Sequence, residues 1–461
     1  MRTAVSTTGA AARQPRQYAN GVARREEILD AANALVVEVG SRGFSLRELA
    51  ARAGLSHPGL LRHFASTDDV LLALLDRHER ASSARLAHAG LAGAGTAGAG
   101  TADVGVAGAG LAGAGTGTFA RLAEHNQTVP GYIALFTTLA GEATSPAHPA
   151  HARFASRYER LRALVATQLE RARDAGTMAA DIAPLDEAVR LAAAWDGLQL
   201  QSLYEPHVDV VAGLRAHLAP RPLSPSTALS ASTARPPSTG KVGSNRRDEP
   251  TFPVRGDRSG GSGGRGEVSA RGYASGRARR DEIVDQATTL FAASGFHGTS
   301  LQGIADGVGI SKTTLLHHFA SKDDLLIAVL RRRDERAVSW ALASGISPID
   351  AVSDIPAGAR RNAEQPGLVE LYSVLACESA SPGHPGHAFF GERFRVGRSY
   401  FTSVFAALAA DGRLRPGADP AFEATWLLAL WDGLQFQWLY DPAAVDVAGQ
   451  LEGHLSQVIV G

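Results

Sequence analysis

The chain has 461 residues, 46 basic side chains against 46 acidic ones, and a single cysteine. Its length exceeds what one hydrophobic core usually organises, which makes two domains the simplest count. Zero formal charge leaves any affinity for nucleic acid to the placement of the arginines; the lone Cys377 excludes an intrachain disulfide framework or a thiolate metal cluster and fits a reducing cytoplasm; and no apolar run reaches membrane-spanning length.

Residues 1–17 lack the apolar core of a signal peptide and read as a disordered tail, consistent with a cytoplasmic protein. Ile28, Ala31, Leu35 and Val39 then recur at helical spacing, and Gly40 closes that helix. Arg24 and Arg25 stand just before it. Ser45-Leu46-Arg47-Glu48 is a capping box, with Leu46, Leu49 and Ala50 as the apolar face of the short helix it opens. Ala53-Gly54-Leu55 supplies a glycine turn, and Ser56 caps a third helix carrying Leu60 and Phe64, with Pro58 tolerated in its first turn. Two short helices around a glycine turn make a helix-turn-helix. With the connecting helix of Leu71, Leu72 and Leu75 it occupies residues 18–80.

A Gly/Ala/Thr-rich insertion follows at 81–118, and a helical domain at 119–218. In the latter, Tyr132, Phe136, Glu142, Phe154 and Tyr158 suit a mostly apolar ligand pocket with one orienting carboxylate, although ordinary helix packing accounts for any one of them. His148 and His151 stand in a Ser-Pro-x-His-Pro-x-His string, but two ligands do not make a metal site, and none is expected. The Trp195 segment is amphipathic. Residues 219–272, crowded with Pro, Ser, Gly and Arg, read as a disordered linker.

Two blocks before the linker then return, the first copy carrying about twenty extra residues between them in its Gly/Ala-rich insertion. Tyr18-Ala19-Asn20-Gly21 answers Tyr273-Ala274-Ser275-Gly276 at a shift of 255, and roughly half the positions of this block are identical. A later block repeats at a shift of 236, pairing Trp195-Asp196-Gly197-Leu198-Gln199 with Trp431-Asp432-Gly433-Leu434-Gln435, and Glu142 with Glu378. The second helix-turn-helix with its connecting helix falls at 273–336 and the second helical domain at 337–458, where Tyr372, Glu378, Phe390, Phe394, Tyr400 and Trp431 answer the first pocket set. Cys377 aligns with Gly141, which excludes a shared thiol chemistry. The expected fold is all-α, with two tandem units.

The outward residues of the third helix are small or polar: His57, Gly59, Arg62 and His63 in the first copy, and Lys312, Thr313, Thr314, His317 and His318 in the second. Such a face suits a major groove. Arg24, Arg25, Arg279 and Arg280 are candidates for phosphate, as are the capping serines Ser45, Ser56, Ser300 and Ser311. The run from Leu301-Gln302-Gly303-Ile304-Ala305 through Gly309-Ile310-Ser311-Lys312-Thr313-Thr314-Leu315 to His318-Phe319-Ala320-Ser321-Lys322-Asp323-Asp324 resembles the N-terminal domain of the TetR/AcrR family. The resemblance implies all-helical dimers in which a three-helix DNA-binding domain precedes a larger domain that binds a small effector and dimerises, most of them repressors released from DNA by that ligand. Two departures stand out. Leu61 and Leu316 occupy the place of a family tyrosine that touches phosphate, and the family lysine is kept as Lys322 but is Thr67 in the first copy, which implies a weaker backbone grip there.

Two dimerisation segments in one chain suggest intramolecular pairing, because a linker of about fifty residues spans roughly 40 Å as a coil. The expected partners are a double-stranded operator with dissimilar half-sites and an unidentified small effector, with no membrane and no cofactor. Repression and activation both fit. An enzyme is disfavoured by the lack of a phosphate loop, nucleophile elbow or zinc motif. A ligand sensor or scaffold acting through protein partners is the other alternative.

Overall fold

Helical periodicity becomes helix throughout the computed structural model, which describes residues 13–88, 117–176, 182–219, 266–343, 347–384 and 386–460. Residues 1–12, most of the Gly/Ala-rich insertion and linker residues 220–265 lie outside the described residues. The first copy comprises α1 (Arg13–Val39), α2 (Leu46–Arg52), α3 (His57–Leu61), α4 (Thr67–His88), α5 (Gly117–Thr128), α6 (Tyr132–Glu142), α7 (His151–Asp174), α8 (Pro184–Tyr204) and α9 (Val210–Leu218). The second comprises α10 (Gly266–Gly298), α11 (Leu301–Val308), α12 (Lys312–His318), α13 (Lys322–Ala343), α14 (Pro348–Ser353), α15 (Ile355–Ala363), α16 (Pro366–Glu378), α17 (His387–Ala410), α18 (Pro420–Tyr440) and α19 (Val447–Val458). Among the described residues the one β feature is an isolated bridge between Leu414 and Ile459.

Several element ends differ from expectation. The first helix of each copy starts well upstream, at Arg13 and at Gly266, so Arg24, Arg25, Arg279 and Arg280 lie inside helices rather than ahead of them, and part of the anticipated linker is helical. After Pro15 no proline interrupts either upstream stretch, and their Arg, Ala, Gln and Glu residues favour helix enough to carry Gly21, Gly272 and Gly276 within it. The connecting helices run on to His88 and Ala343, past residues 80 and 336. In the other direction, α3 stops at Leu61, leaving Phe64 in the turn beyond it.

The chain divides into two units, one of residues 1–220 with 282–461 and one of residues 221–281. Of the second, the described part is the opening stretch of α10. The first holds three hydrophobic clusters. One gathers Ile28, Leu49, Leu60, Phe64, Leu71 and Phe136 of the first copy; its counterpart gathers Ile283, Ile304, Leu315, Phe319, Leu326 and Tyr372; the third joins the last helices of both copies. No described helix is long and apolar enough to cross a membrane.

The third cluster exists because α8 and α18 pack directly on each other. The repeated motif explains how. Ala193 and Gly197 lie one turn apart on α8, and Ala429 and Gly433 match them on α18. A Cβ on Gly197 would run into the Ala429 backbone, and one on Gly433 into that of Ala193. Two small residues four apart on each helix therefore let the backbones touch, and a crossing this close gains dispersion contacts along both helices. Around it, cross-copy bonds come in matched sets. Arg162 reaches Gln437 and Asp441, both at 3.3 Å, and Arg398 reaches Gln201 at 3.3 Å and Glu205. The Tyr440 hydroxyl donates to the Ala140 carbonyl at 2.5 Å, and Tyr204 donates to that of Ala376.

Replacing Gly197 or Gly433 with alanine forces these helices apart. Each variant is expected to lose roughly 1–3 kcal/mol in urea unfolding, the usual cost of overpacking. Wild-type stability in both would show that the crossing is not close-packed.

Candidate functional site

The helix-turn-helix of each copy is built by local chemistry. Ser45 accepts a bond from the Glu48 amide while the Glu48 carboxylate accepts from the Ser45 amide at 2.8 Å, completing the capping box. Gly54 and Gly309 sit at φ +65° and +72°, the left-handed region the turn needs. Ser56, Ser300 and Ser311 each cap a following helix, accepting from the amides of Gly59, Gly303 and Thr314. All four serines are exposed, so the hydroxyls that hold these helices also face solvent.

The two outward faces differ. On α12, Lys312, Thr313, Thr314, Leu316 and His317 are exposed and His318 is half-buried, around the buried anchor Leu315. In the first copy Leu60 is the anchor; Arg62 is exposed, His57, Gly59 and His63 are half-buried, and Arg62 and His63 stand at or beyond the end of α3. Leu61 and Leu316 are 42% and 40% exposed, so neither replaces the family tyrosine by turning into the core.

The arginines of the first copy already have intramolecular partners. Arg24 pairs with Glu27. Arg25 donates to the His63 carbonyl at 2.7 Å and lies 3.9 Å over the Phe64 ring, pinning the turn that follows α3. Arg279 and Arg280 are exposed on α10. At the start of α4, the Asp69 carboxylate accepts from the amides of Ala65 and Ser66, both at 3.1 Å, so those two amides are occupied. Lys322, at the equivalent point of α13, is half-buried, and burial holds its ammonium below the ordinary lysine range.

The expected pocket residues fall into separate places. Tyr132, Phe136 and Tyr158 do come together: Tyr132 stacks on Phe136 at 6.2 Å, and the Arg157 guanidinium lies 4.5 Å over Phe136. Glu79 of α4 is buried and accepts from Arg153 at 3.0 Å and Arg157 at 3.3 Å. The Tyr158 hydroxyl donates to Asp196 at 2.7 Å, and burial pushes the Asp196 carboxyl up to about 6 against the pull of Arg157 and Tyr158. Trp195 is instead part of the cluster shared by the two copies, and Trp431 packs against that same cluster. Glu142 is engaged in an ion pair. Its carboxylate takes both arms of Arg42, one at 2.6 Å, and Arg42 also holds Asp68 at 2.6 Å, so the helical domain is fastened to the loop between α1 and α2 and to the first turn of α4. In the second copy, Tyr372 and Phe394 share a cluster, and the Tyr372 hydroxyl accepts from Arg393 at 2.9 Å. Glu378 lies half-buried at the end of α16.

Sequence reasoning missed Arg42, Glu79, Arg157 and Asp196. Asp196 and Arg157 carried a signal, each repeated at the shift of 236, as Asp432 and Arg393; Arg42 and Glu79 gain meaning from partners far away in the chain. The histidine strings serve the backbone. His151 and His387 bond the carbonyls of Ala143 and Ser379 at 2.9 and 3.0 Å, while His148 and His384 accept from the amides of Ala150 and Gly386. No cluster of three or more metal-ligating side chains occurs among the described residues.

Comparison with known proteins matches these halves separately. The family model for bacterial regulatory proteins of the tetR family matches residues 28–74 and again 283–329. A model described as BetI-type transcriptional repressor, C-terminal, matches 136–228 and 379–459. The HTH-type transcriptional repressor KstR2 of Mycobacterium tuberculosis is 26% identical over 167 residues, which is 33% of this chain and 80% of KstR2. The HTH-type transcriptional regulator RutR of Escherichia coli is 49% identical over 55 residues, 12% of this chain and 26% of RutR. Among solved structures, a TetR-family regulator from Agrobacterium tumefaciens overlaps 40% of this chain and 100% of its own, at 22% identity and a TM-score of 0.34.

The buried Asp196 sets a pH dependence. Its folded pKa, about 6, exceeds its ordinary 3.8, so the folded state holds the proton more tightly. That stability is complete below the unfolded pKa and is lost as pH rises through about 6. Asp196→Asn keeps an acceptor for Tyr158 and removes the titration, so its melting temperature is expected to vary less than that of the wild type between about pH 4 and 7. Equal pH profiles would show that Asp196 does not titrate in this range.

Proposed function

Because the chain belongs to the tetR family of bacterial regulatory proteins in both of its halves, and so is a DNA-binding transcriptional regulator, we propose that it works in the cytoplasm as a ligand-responsive repressor whose two copies form one pseudo-dimer. The observation that carries this reading is the packing of α8 on α18, which sets two helix-turn-helix heads on a common base. A dimer of this family then corresponds to one polypeptide. Both heads match the DNA-binding family model, which leaves the scaffold alternative without support.

In this reading α3 and α12 enter successive major grooves. Lys312, Thr313, Thr314 and His317 read bases or phosphates in the second half-site, and His57, Arg62 and His63 in the first. The exposed Leu61 and Leu316 offer apolar contact, the kind of surface that meets a thymine methyl group. Arg25 serves chiefly to brace the turn after α3 and contacts phosphate only with what its bond to His63 leaves over. Since the two faces carry different side chains, the operator has dissimilar half-sites.

The effector reading rests on the cluster around Tyr132, Phe136, Tyr158 and Arg157, an apolar wall beside the Arg157–Glu79 pair and the Tyr158–Asp196 bond. From there the physical route to DNA is short. Arg157 and Arg153 hold Glu79 on α4, and the neighbouring Arg77 on the same helix holds Asp30 of α1 at 2.7 Å. Arg332 and Asp285 repeat that tie at 2.9 Å in the second copy. A ligand that shifts α7 against α4 therefore moves α1 and the reading helix with it. The Arg42–Glu142 pair is a second fastening between the same two layers.

A gel shift against genomic fragments selected by the purified protein tests DNA binding. Lys312→Ala is expected to weaken binding in a sequence-dependent way, and Lys322→Ala to weaken it on every duplex while lowering the slope of log affinity against log salt by about 1. Footprinting is expected to return two unlike half-sites. A strict palindrome, or unchanged affinity in both lysine variants, would remove the second copy as a distinct reader.

A further inference from the structure

The pairing surface is not a symmetric one used twice. Three places equivalent by the internal repeat carry different residues in the two copies, and at each the pair is complementary as it stands.

The first lies at the centre, where α6 packs on α16. Gly141 faces Cys377, its own counterpart in the repeat, and a Cβ on Gly141 would sit 2.5 Å from the Cys377 Cβ and 2.6 Å from its sulfur. One side chain fits there and two do not. Two cysteines would also be too close for the ordinary Cβ separation of a disulfide, about 3.5–4.5 Å. Two glycines would leave the volume of the thiol empty in a site where Cys377 is fully buried.

The other two lie at the outer ends of α8 and α18. Asp186 and Arg190 of the first copy face α19 of the second, where the Gln450 amide donates to Asp186 at 2.8 Å and its oxygen accepts from Arg190 at 3.1 Å. Gly453 leaves room for that guanidinium, since a Cβ there would be 2.9 Å from it. In the second copy the equivalent residues are Phe422 and Trp426, and the Trp426 ring stacks on His217 at 4.0 Å and 9°. The equivalents of Gln450 and Gly453 there are Gly213 and Ala216. One place thus pairs the copies through an amide and the other through stacked rings. Glu187, whose counterpart is Glu423, joins the two places, since its buried carboxylate bonds Arg190 on one side and His217, which stacks on Trp426, on the other; burial raises its carboxyl, but these bonds overcome this and hold it well below the ordinary range.

We propose that the two copies are a matched pair, in which each copy's pairing surface accepts the other copy and rejects a second copy of itself. Two first copies would set Arg190 and Asp186 against Gly213 and Ala216, with no amide between them. Two second copies would set Phe422 and Trp426 against Gln450, stripping a buried amide of both partners, and would force Cys377 onto Cys377. Specificity of this kind comes from penalties on the wrong pair as well as gains in the right one. It fixes which reading helix takes which half-site, and prevents symmetric association between copies of different chains. The proposal rests on the pseudo-dimer reading above and adds to it the rule by which the partner is chosen.

Reciprocal exchange in the full-length chain tests it. Gly141→Cys and Cys377→Gly are each expected to lower the melting temperature by several degrees, and the two together to restore most of the loss, because the exchange rebuilds the one-large, one-small fit. A second exchange covers the ends. Phe422→Asp, Trp426→Arg, Gln450→Gly and Gly453→Ala together make the second copy present the first copy's residues and are expected to destabilise. Adding Asp186→Phe, Arg190→Trp, Gly213→Gln and Ala216→Gly is expected to recover stability. Additive losses in both exchanges would overturn the matched-pair rule. Light scattering on the unaltered chain separates the two claims: a one-chain mass supports pairing within the polypeptide, whereas a two-chain mass would overturn that reading and leave the exchange cycles to judge complementarity.

Discussion

The structure depends on a backbone-to-backbone crossing between α8 and α18, made possible by Ala193 and Gly197 facing Ala429 and Gly433. Any larger residue at the glycines separates the helices and thins the cluster that joins the two copies. That cluster includes Trp195, Leu198, Leu430 and Leu434, and it forms only because both copies contribute. Neither copy closes its core by itself. Tyr440 of the second copy completes the first, stacking with Phe154 at 5.9 Å and Tyr158 at 5.3 Å, and Tyr204 of the first completes the second against Phe390 and Phe394.

This exchange of tyrosines has a functional consequence. The side chains around which an effector would gather are the same ones that touch the neighbouring copy: Tyr158 meets Tyr440 on one side and Asp196 on the other. Asp196 belongs to α8, one residue from the crossing glycine. Tyr158 and Asp196 thus tie this aromatic cluster to the pairing base, while Arg157 and Glu79 tie it to α4, which Arg77 joins to α1. Packed interiors pass displacements on because they have no slack to absorb them.

Duplication also allowed the copies to part ways. The third helix of the first copy has five residues and its counterpart in the second has seven. In the first copy the loop amides before α4 are taken by Asp69, and Thr67 stands where the second copy has Lys322. Within a self-associating protein every substitution appears on both sides of the interface at once; within a tandem chain Gly141 and Cys377, or Arg190 and Trp426, can be set independently. The unequal heads and the unequal interface are two results of that same freedom.

What the sequence determined by itself was whatever depends on near neighbours. The caps at Ser45, Ser56, Ser300 and Ser311, the left-handed turns at Gly54 and Gly309, the all-helical architecture and the family likeness all rest on residues within a few positions of one another. The exposed face of α12 was legible for the same reason, since a helix with one buried leucine presents the rest of its side chains outward. Tertiary structure decided everything that depends on a distant partner. No local pattern says that Glu142 meets Arg42, a hundred residues earlier, or that Trp195 joins a cluster shared with α18. Nor does any such pattern say that Arg25 meets Phe64 and the His63 carbonyl, at the far end of the helix-turn-helix. An ionic or aromatic side chain takes its role from the group it meets, and spacing along a chain does not say which group that is.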